Sequence, residues 1–254
     1  MSIEARRVFR LSLTVALALA IAYAMASPLP HLAPIFAWLL TMEPKKPLGL
    51  KGLLVLVAVT ALTTGTGLLI IPLLSDYPAT AILVVLVALF FSTYISVSLG
   101  QVTVGMLLTI GITLISAVGS VSFVAATAVI DALVVAIVIS TLCQWLVYPL
   151  FPEDAGSLEP PAEKVGNEQA LWISLRTTLI VIPVYLVCLT NPMMYTALIL
   201  KSVSLGQQST VVDTRAAAKV LLGSTLMGGV LAILFWFALK LNVSLWTFFL
   251  WMLF

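Results

Sequence analysis

The chain is poor in charge. Only 9% of its 254 residues are Asp, Glu, Lys or Arg, where a soluble domain carries about 25%. Hydrophobic residues make up 62%, and the mean hydropathy is +1.20. That balance excludes a soluble globular domain and requires a polytopic membrane protein. The net charge of +2 is too small to suggest nucleic acid as a partner. Histidine is nearly absent: the single His31 lies in a proline-rich turn and reads as a surface residue. No His-Glu-x-x-His motif, nucleophile–base pair or metal-ligand cluster is present, which argues against an enzyme, a metal site or a cofactor. No glycine-rich loop ending in Lys-Ser/Thr is present, so nothing couples the chain directly to ATP. The two cysteines, Cys143 and Cys188, both sit in apolar runs and read as packing residues rather than a disulfide.

Long polar runs are scarce as well. The longest, Pro149 to Gln169, holds four prolines, two glycines and six charges, and no bilayer span fits there. The chain on either side of it opens alike. Arg10 and Arg176 each lead an apolar helix, followed by a proline break, a short apolar piece, a polar loop and a helix rich in Gly, Ser and Thr. This predicts an all-α bundle of transmembrane helices built from two parallel repeats. Residues 1–148 form the first, with about six helices, the second of them short. Residues 149–169 are a cytoplasmic linker, and 170–254 form a second, incomplete repeat. By that arithmetic roughly 60–70 residues of the second repeat are lacking at Phe254.

Arg6, Arg7 and Arg10 place the N-terminus in the cytoplasm by the positive-inside rule. The run they precede, Val8 to Ala26, ends in an Ala-x-Ala pattern like a cleavable signal peptide, but its internal counterpart Leu171–Leu189 marks it as a first span. Leu32–Met42 is too short for an ordinary span, as is 193–200. Further spans are expected at Gly52–Leu74, Ala79–Leu99, Val102–Val118, Val121–Tyr148 and Lys219–Leu239, with turns at Gly100-Gln101 and Gly119-Ser120. A short Trp-rich apolar run closes the chain.

Asp131 stands out, because an ionisable group near the bilayer midplane is costly. It is either a proton carrier or a structural carboxylate. Thr41, Gly65, Thr66 and Gly67 in the first repeat, with Gly223 and Gly228 in the second, either let helices pack closely or line a pore. Arg10 and Arg176 are either helix-start anchors or ligands for a carboxylate. Lys51, Arg215 and Lys219 are either ordinary cytoplasmic charges or a basic mouth that concentrates anions.

The stretch LAPIFAWLLTMEPKKPLGLKG, followed by LLVLVAVTALTTGTG, resembles the fusaric acid resistance and aromatic acid exporter superfamily. The resemblance rests on Trp38, Thr41, Pro44, Gly49, Lys51, Gly65, Thr66 and Gly67. It recurs loosely at Tyr195, Thr196, Gly206, Asp213, Arg215, Gly223 and Gly228. The chain lacks the large cytoplasmic domain of the longer exporters and is similar to the short, membrane-only branch. The resemblance implies proton-driven efflux of aromatic or other organic carboxylates, with Asp131 coupling the proton and the five basic residues binding the anion. It also implies a periplasmic adaptor (membrane fusion) protein as a partner and allows a homo-oligomer. A passive anion channel would need the basic residues but not Asp131, and a subunit that only scaffolds an adaptor would need neither.

Overall fold

A computed structural model describes residues 3–42, 47–152, 166–192, 194–195, 198, 202, 211–241 and 244–253; at 102, 211–215, 217, 238 and 241 only the backbone is described. Every regular element among them is a helix. These are α1 (Ile3–Ala24), α2 (Leu32–Met42), α3 (Leu50–Asp76), α4 (Pro78–Ser98), α5 (Val102–Ile110), a π-turn (Gly111–Ile115), α6 (Ser116–Val121), α7 (Phe123–Val147), α8 (Asn167–Thr190), α9 (Val211–Leu241) and α10 (Leu245–Leu253). Among the described residues seven spans are long and apolar enough to cross a membrane: α1, α3, α4, the α5–α6 run from Thr103 to Val121, α7, α8 and α9. Large apolar side chains such as Leu62, Leu69 and Val124 are exposed. In water that would be a severe liability, whereas lipid is their natural solvent.

Several helices run past their apolar windows. α1 begins at Ile3, α8 at Asn167 and α9 at Val211, each earlier than apolar content predicts. The backbone bonds of a helix do not require apolar side chains, so a helix continues into its polar flank until something stops it. The expected turn at Gly119-Ser120 is absent. α6 runs through both residues, and the break falls at Ser122, which is extended (φ −156°, ψ 117°). The Ser122 hydroxyl then accepts the Ala125 N–H at 3.2 Å and opens α7 as an N-cap. The expected turn at Gly100 is present, with φ +66°. The short segment 193–200 and the linker lie largely outside the described residues.

The end of α1 is a Schellman closure. The Ser27 N–H bonds the Ala22 carbonyl and the Ala26 N–H bonds that of Tyr23, both at 3.0 Å, with Ala26 in the left-handed region at φ 51°. α2 then spans 11 residues, about 16 Å, half the thickness of a hydrocarbon core.

The chain packs as two compact units. The first comprises residues 1–58, 131–161 and 226–254, and the second 59–130 and 162–225. Each therefore draws on chain from both sides of the linker. In the first unit, α1 packs on α2 and α10. Two side chains of α7 hold α2 by its backbone: Ser140 Oγ donates to the Ala33 carbonyl at 2.8 Å and Gln144 Nε2 to that of Leu40 at 2.9 Å. In the second unit, α4 packs on α5 and α8. Its core gathers Ile70, Val85, Leu89, Ile112, Val181 and Tyr185.

Candidate functional site

The second unit holds a column of buried hydroxyls centred on the π-turn. Ser92 of α4 reaches α5, where its Oγ donates to the Gly105 carbonyl at 2.8 Å and meets Thr109 Oγ1 at 2.8 Å. Thr113 Oγ1 donates to the Thr109 carbonyl at 2.6 Å. One turn further, Ser116 Oγ donates to the Ile112 carbonyl and meets the Tyr185 hydroxyl of α8 at 2.9 Å. All of these side chains are buried, Tyr185 completely. A π-turn inserts a residue into the helix and disturbs the regular bonding of its carbonyls. Here hydroxyls from the same helix supply donors to the carbonyls at and beside the turn.

Two glycines let this irregular turn sit against α3. A Cβ at Gly67 would collide with the Gly111 carbonyl, and a Cβ at Gly111 would collide with the Thr63 carbonyl. The backbones thus touch directly, the close approach that small residues allow between membrane helices. Thr64, buried beside them, donates its Oγ1 to the Thr60 carbonyl at 2.6 Å. The arrangement is a buried, uncharged set of hydroxyls and carbonyls at the middle of a span. Its hydroxyls bond backbone carbonyls and one another, and it holds no charged group.

The residues singled out from sequence are scattered. Gly67 lies in this cluster, and Thr66 donates to the Thr63 carbonyl at 2.6 Å within α3. Gly65, Gly223 and Gly228 border open space. Asp131 is exposed on α7, with no ion pair among the described residues. Lys51 and Lys219 are exposed, and the Arg215 side chain lies outside the described residues. Arg176 is half-buried in α8.

Arg10 is only 3% exposed. Its Nη1 donates to the Phe151 carbonyl at 3.3 Å, and its guanidinium lies 5.5 Å from the Tyr148 ring centre. Arg6 donates to the Pro152 carbonyl at 3.2 Å. Both arginines therefore meet the chain just past the C-terminus of α7, where the helix dipole favours a cation. Arg10 and Arg176 fall in different compact units. Thr41 is buried on α2, and its Oγ1 has no hydrogen-bond partner among the described atoms; nor has Gln144 Oε1. Among the described residues no cluster of His, Cys, Asp and Glu could hold a metal.

Tyr185 and Ser116 escaped the sequence reading. Ser116 sits in a run of hydroxyls at helical spacing with Thr109 and Thr113, a visible signal. Tyr185 carries none beyond its place two residues after Pro183.

Among the described residues, seven apolar spans with lipid-compatible outer faces define a multi-pass α-helical membrane protein in contact with the lipid bilayer. The chain belongs to the family described as protein of unknown function (DUF2955), which matches residues 7–147. No curated protein and no solved structure matches it.

Proposed function

We propose that this chain is a transporter of the bacterial inner membrane that exports organic carboxylates, aromatic ones among them, at the expense of the proton gradient. The observation that carries the reading is the buried hydroxyl column around the π-turn. Polar backbone and side chains are costly at membrane depth and persist where they serve a solute or a helix contact. Irregular helix segments mark substrate sites in transporters. The resemblance of Leu32–Pro72 to the exporter superfamily supplies the substrate class. In this reading the two repeats and the cytoplasmic N-terminus follow the sequence pattern. Arg10, Arg176, Lys51, Arg215 and Lys219 draw the anion in, Asp131 carries the proton, and a periplasmic adaptor continues the path.

The test is efflux of a labelled hydroxybenzoate from cells expressing the chain, with and without a protonophore, for wild type, Tyr185→Phe and Asp131→Asn. Export that the protonophore stops, that falls about three-fold in the Phe variant and that vanishes in the Asn variant is expected. The three-fold figure is the worth of one hydrogen bond between membrane helices, about 0.6 kcal/mol. Absence of any export would sink the reading. One observation favours a passive anion channel instead: Asp131 is exposed on α7 and has no ion pair among the described residues. Flux that follows the anion's own gradient, with the Asn variant behaving as wild type, would decide for the channel.

A further inference from the structure

Within the first unit, the end of α1, the end of α9 and the start of α10 border two open cavities that share Leu245. The larger, about 480 Å³, is walled by the rings of Tyr23, Trp236 and Phe248 and carries Lys240 and Ser244. The smaller, about 160 Å³, is lined by apolar side chains, among them Leu17, Ile21, Trp246 and Phe249. The pair is thus amphipathic, with one compartment aromatic and cationic and the other apolar. Among the described residues no acidic side chain lines either one.

The depth of the polar compartment follows from α9. Its apolar run extends to Leu239, and Lys240 follows it directly. That places the ammonium at the edge of the hydrocarbon, at headgroup level. The surrounding Tyr and Trp rings are the side chains that collect at this boundary. Lys240 Nζ stands 3.7 Å from the centre of the Trp236 ring. A lysine ammonium has three N–H donors; the ring face takes one side of it, and the rest remain for an anion. The Tyr23 and Phe248 rings brace each other edge to face at 5.1 Å. Ser244 caps α10, its Oγ accepting the Thr247 N–H at 3.1 Å, which holds the serine hydroxyl at the cavity wall.

We propose that these paired cavities bind one anionic phospholipid, with its phosphate on Lys240 and Ser244 and the start of an acyl chain beside Leu17 and Ile21. Charge complementarity selects the lipid. A zwitterionic headgroup brings its own cation to an ammonium, whereas phosphatidylglycerol does not. The site is separate from the hydroxyl column, and the inference stands whether or not the chain transports anything.

The test uses the full chain, purified in detergent, stripped of lipid and offered mixtures of phosphatidylglycerol and phosphatidylcholine, with retained lipids counted by native mass spectrometry. One phosphatidylglycerol per chain should be kept in preference to phosphatidylcholine. Lys240→Gln should lower that preference about five-fold, the worth of one basic residue at a lipid surface. Lys240→Arg should keep it, and Arg7→Gln, outside both cavities, should leave it unchanged. Equal retention of the two lipids by wild type would overturn the proposal, as would a Gln variant that matches wild type. Displacement of the lipid by hydroxybenzoate or inorganic phosphate alone would overturn it too, since the cavity would then be a small-anion site.

Discussion

Tyr185 and Ser116 offer the sharpest check on the buried column. Ser116 Oγ–H is committed to backbone, to the Ile112 carbonyl with that of Thr113 at 3.2 Å. The Tyr185 hydroxyl, 2.9 Å away, is therefore the donor of the pair. Tyr185→Phe removes that donor, opens no cavity and leaves the serine proton bonded. Hydrogen bonds between membrane helices average about 0.6 kcal/mol, with a ceiling near 1.7. The Phe variant should cost about 0.6 kcal/mol, and a double-mutant cycle with Ser116→Ala should return a coupling of similar size. Tyr185→Ala, by contrast, empties a completely buried position and should cost about 3–5 kcal/mol, as large aromatic truncations do. The assay is reversible unfolding in mixed micelles followed by circular dichroism. A coupling indistinguishable from zero would refute the bond. A Phe variant as unstable as the Ala variant would refute the argument that the ring, not the hydroxyl, carries the packing.

Two further substitutions test the backbone. Gly67→Val should lose roughly 1–3 kcal/mol or more, because its Cβ would meet the Gly111 carbonyl. Gly65→Ala, two residues away and facing open space, should be neutral or gain up to about 1 kcal/mol from helix propensity; the same unfolding assay separates them. Ala26→Gly should raise stability by about 1 kcal/mol, since an L-residue in the left-handed region costs about that much. A measured loss there would mean that Ala26 is not held at positive φ.

The spans were legible because lipid imposes a simple rule. Every backbone group must be bonded internally, so length and apolar content point directly to helices. The short α2 was legible for the same reason, with its ends at Leu32 and Met42 as expected. The break at Ser122 was harder to see. Glycine and serine at 119–120 carry the usual turn signal, but the Gly119 backbone stays helical and buried against Ile71, and contact overrode local preference. The candidate site was only half legible. Thr109, Thr113 and Gly67 advertise themselves by spacing on their own helices. The pairing of Thr109 with Ser92 and of Ser116 with Tyr185, 17 and 69 residues apart along the chain, depends on which helices pack together, and no local pattern encodes that.

Arg10 shows the same division. Its sequence position marks a charge set into a span, but packing decides whether such a charge faces a path or ties down a neighbour, and here it meets the carbonyl of Phe151. By itself the sequence determined that this protein lives in a bilayer, where its long apolar spans lie and which residues are too polar to face lipid without cause. Those are properties of transfer from water to hydrocarbon, summed locally along the chain. Only the tertiary structure decided which polar residues meet, that a π-turn forms at Gly111, and that Lys240 ends beside Tyr23. Those follow from close packing between distant segments, where the fit of one backbone against another is fixed by shape rather than by hydropathy.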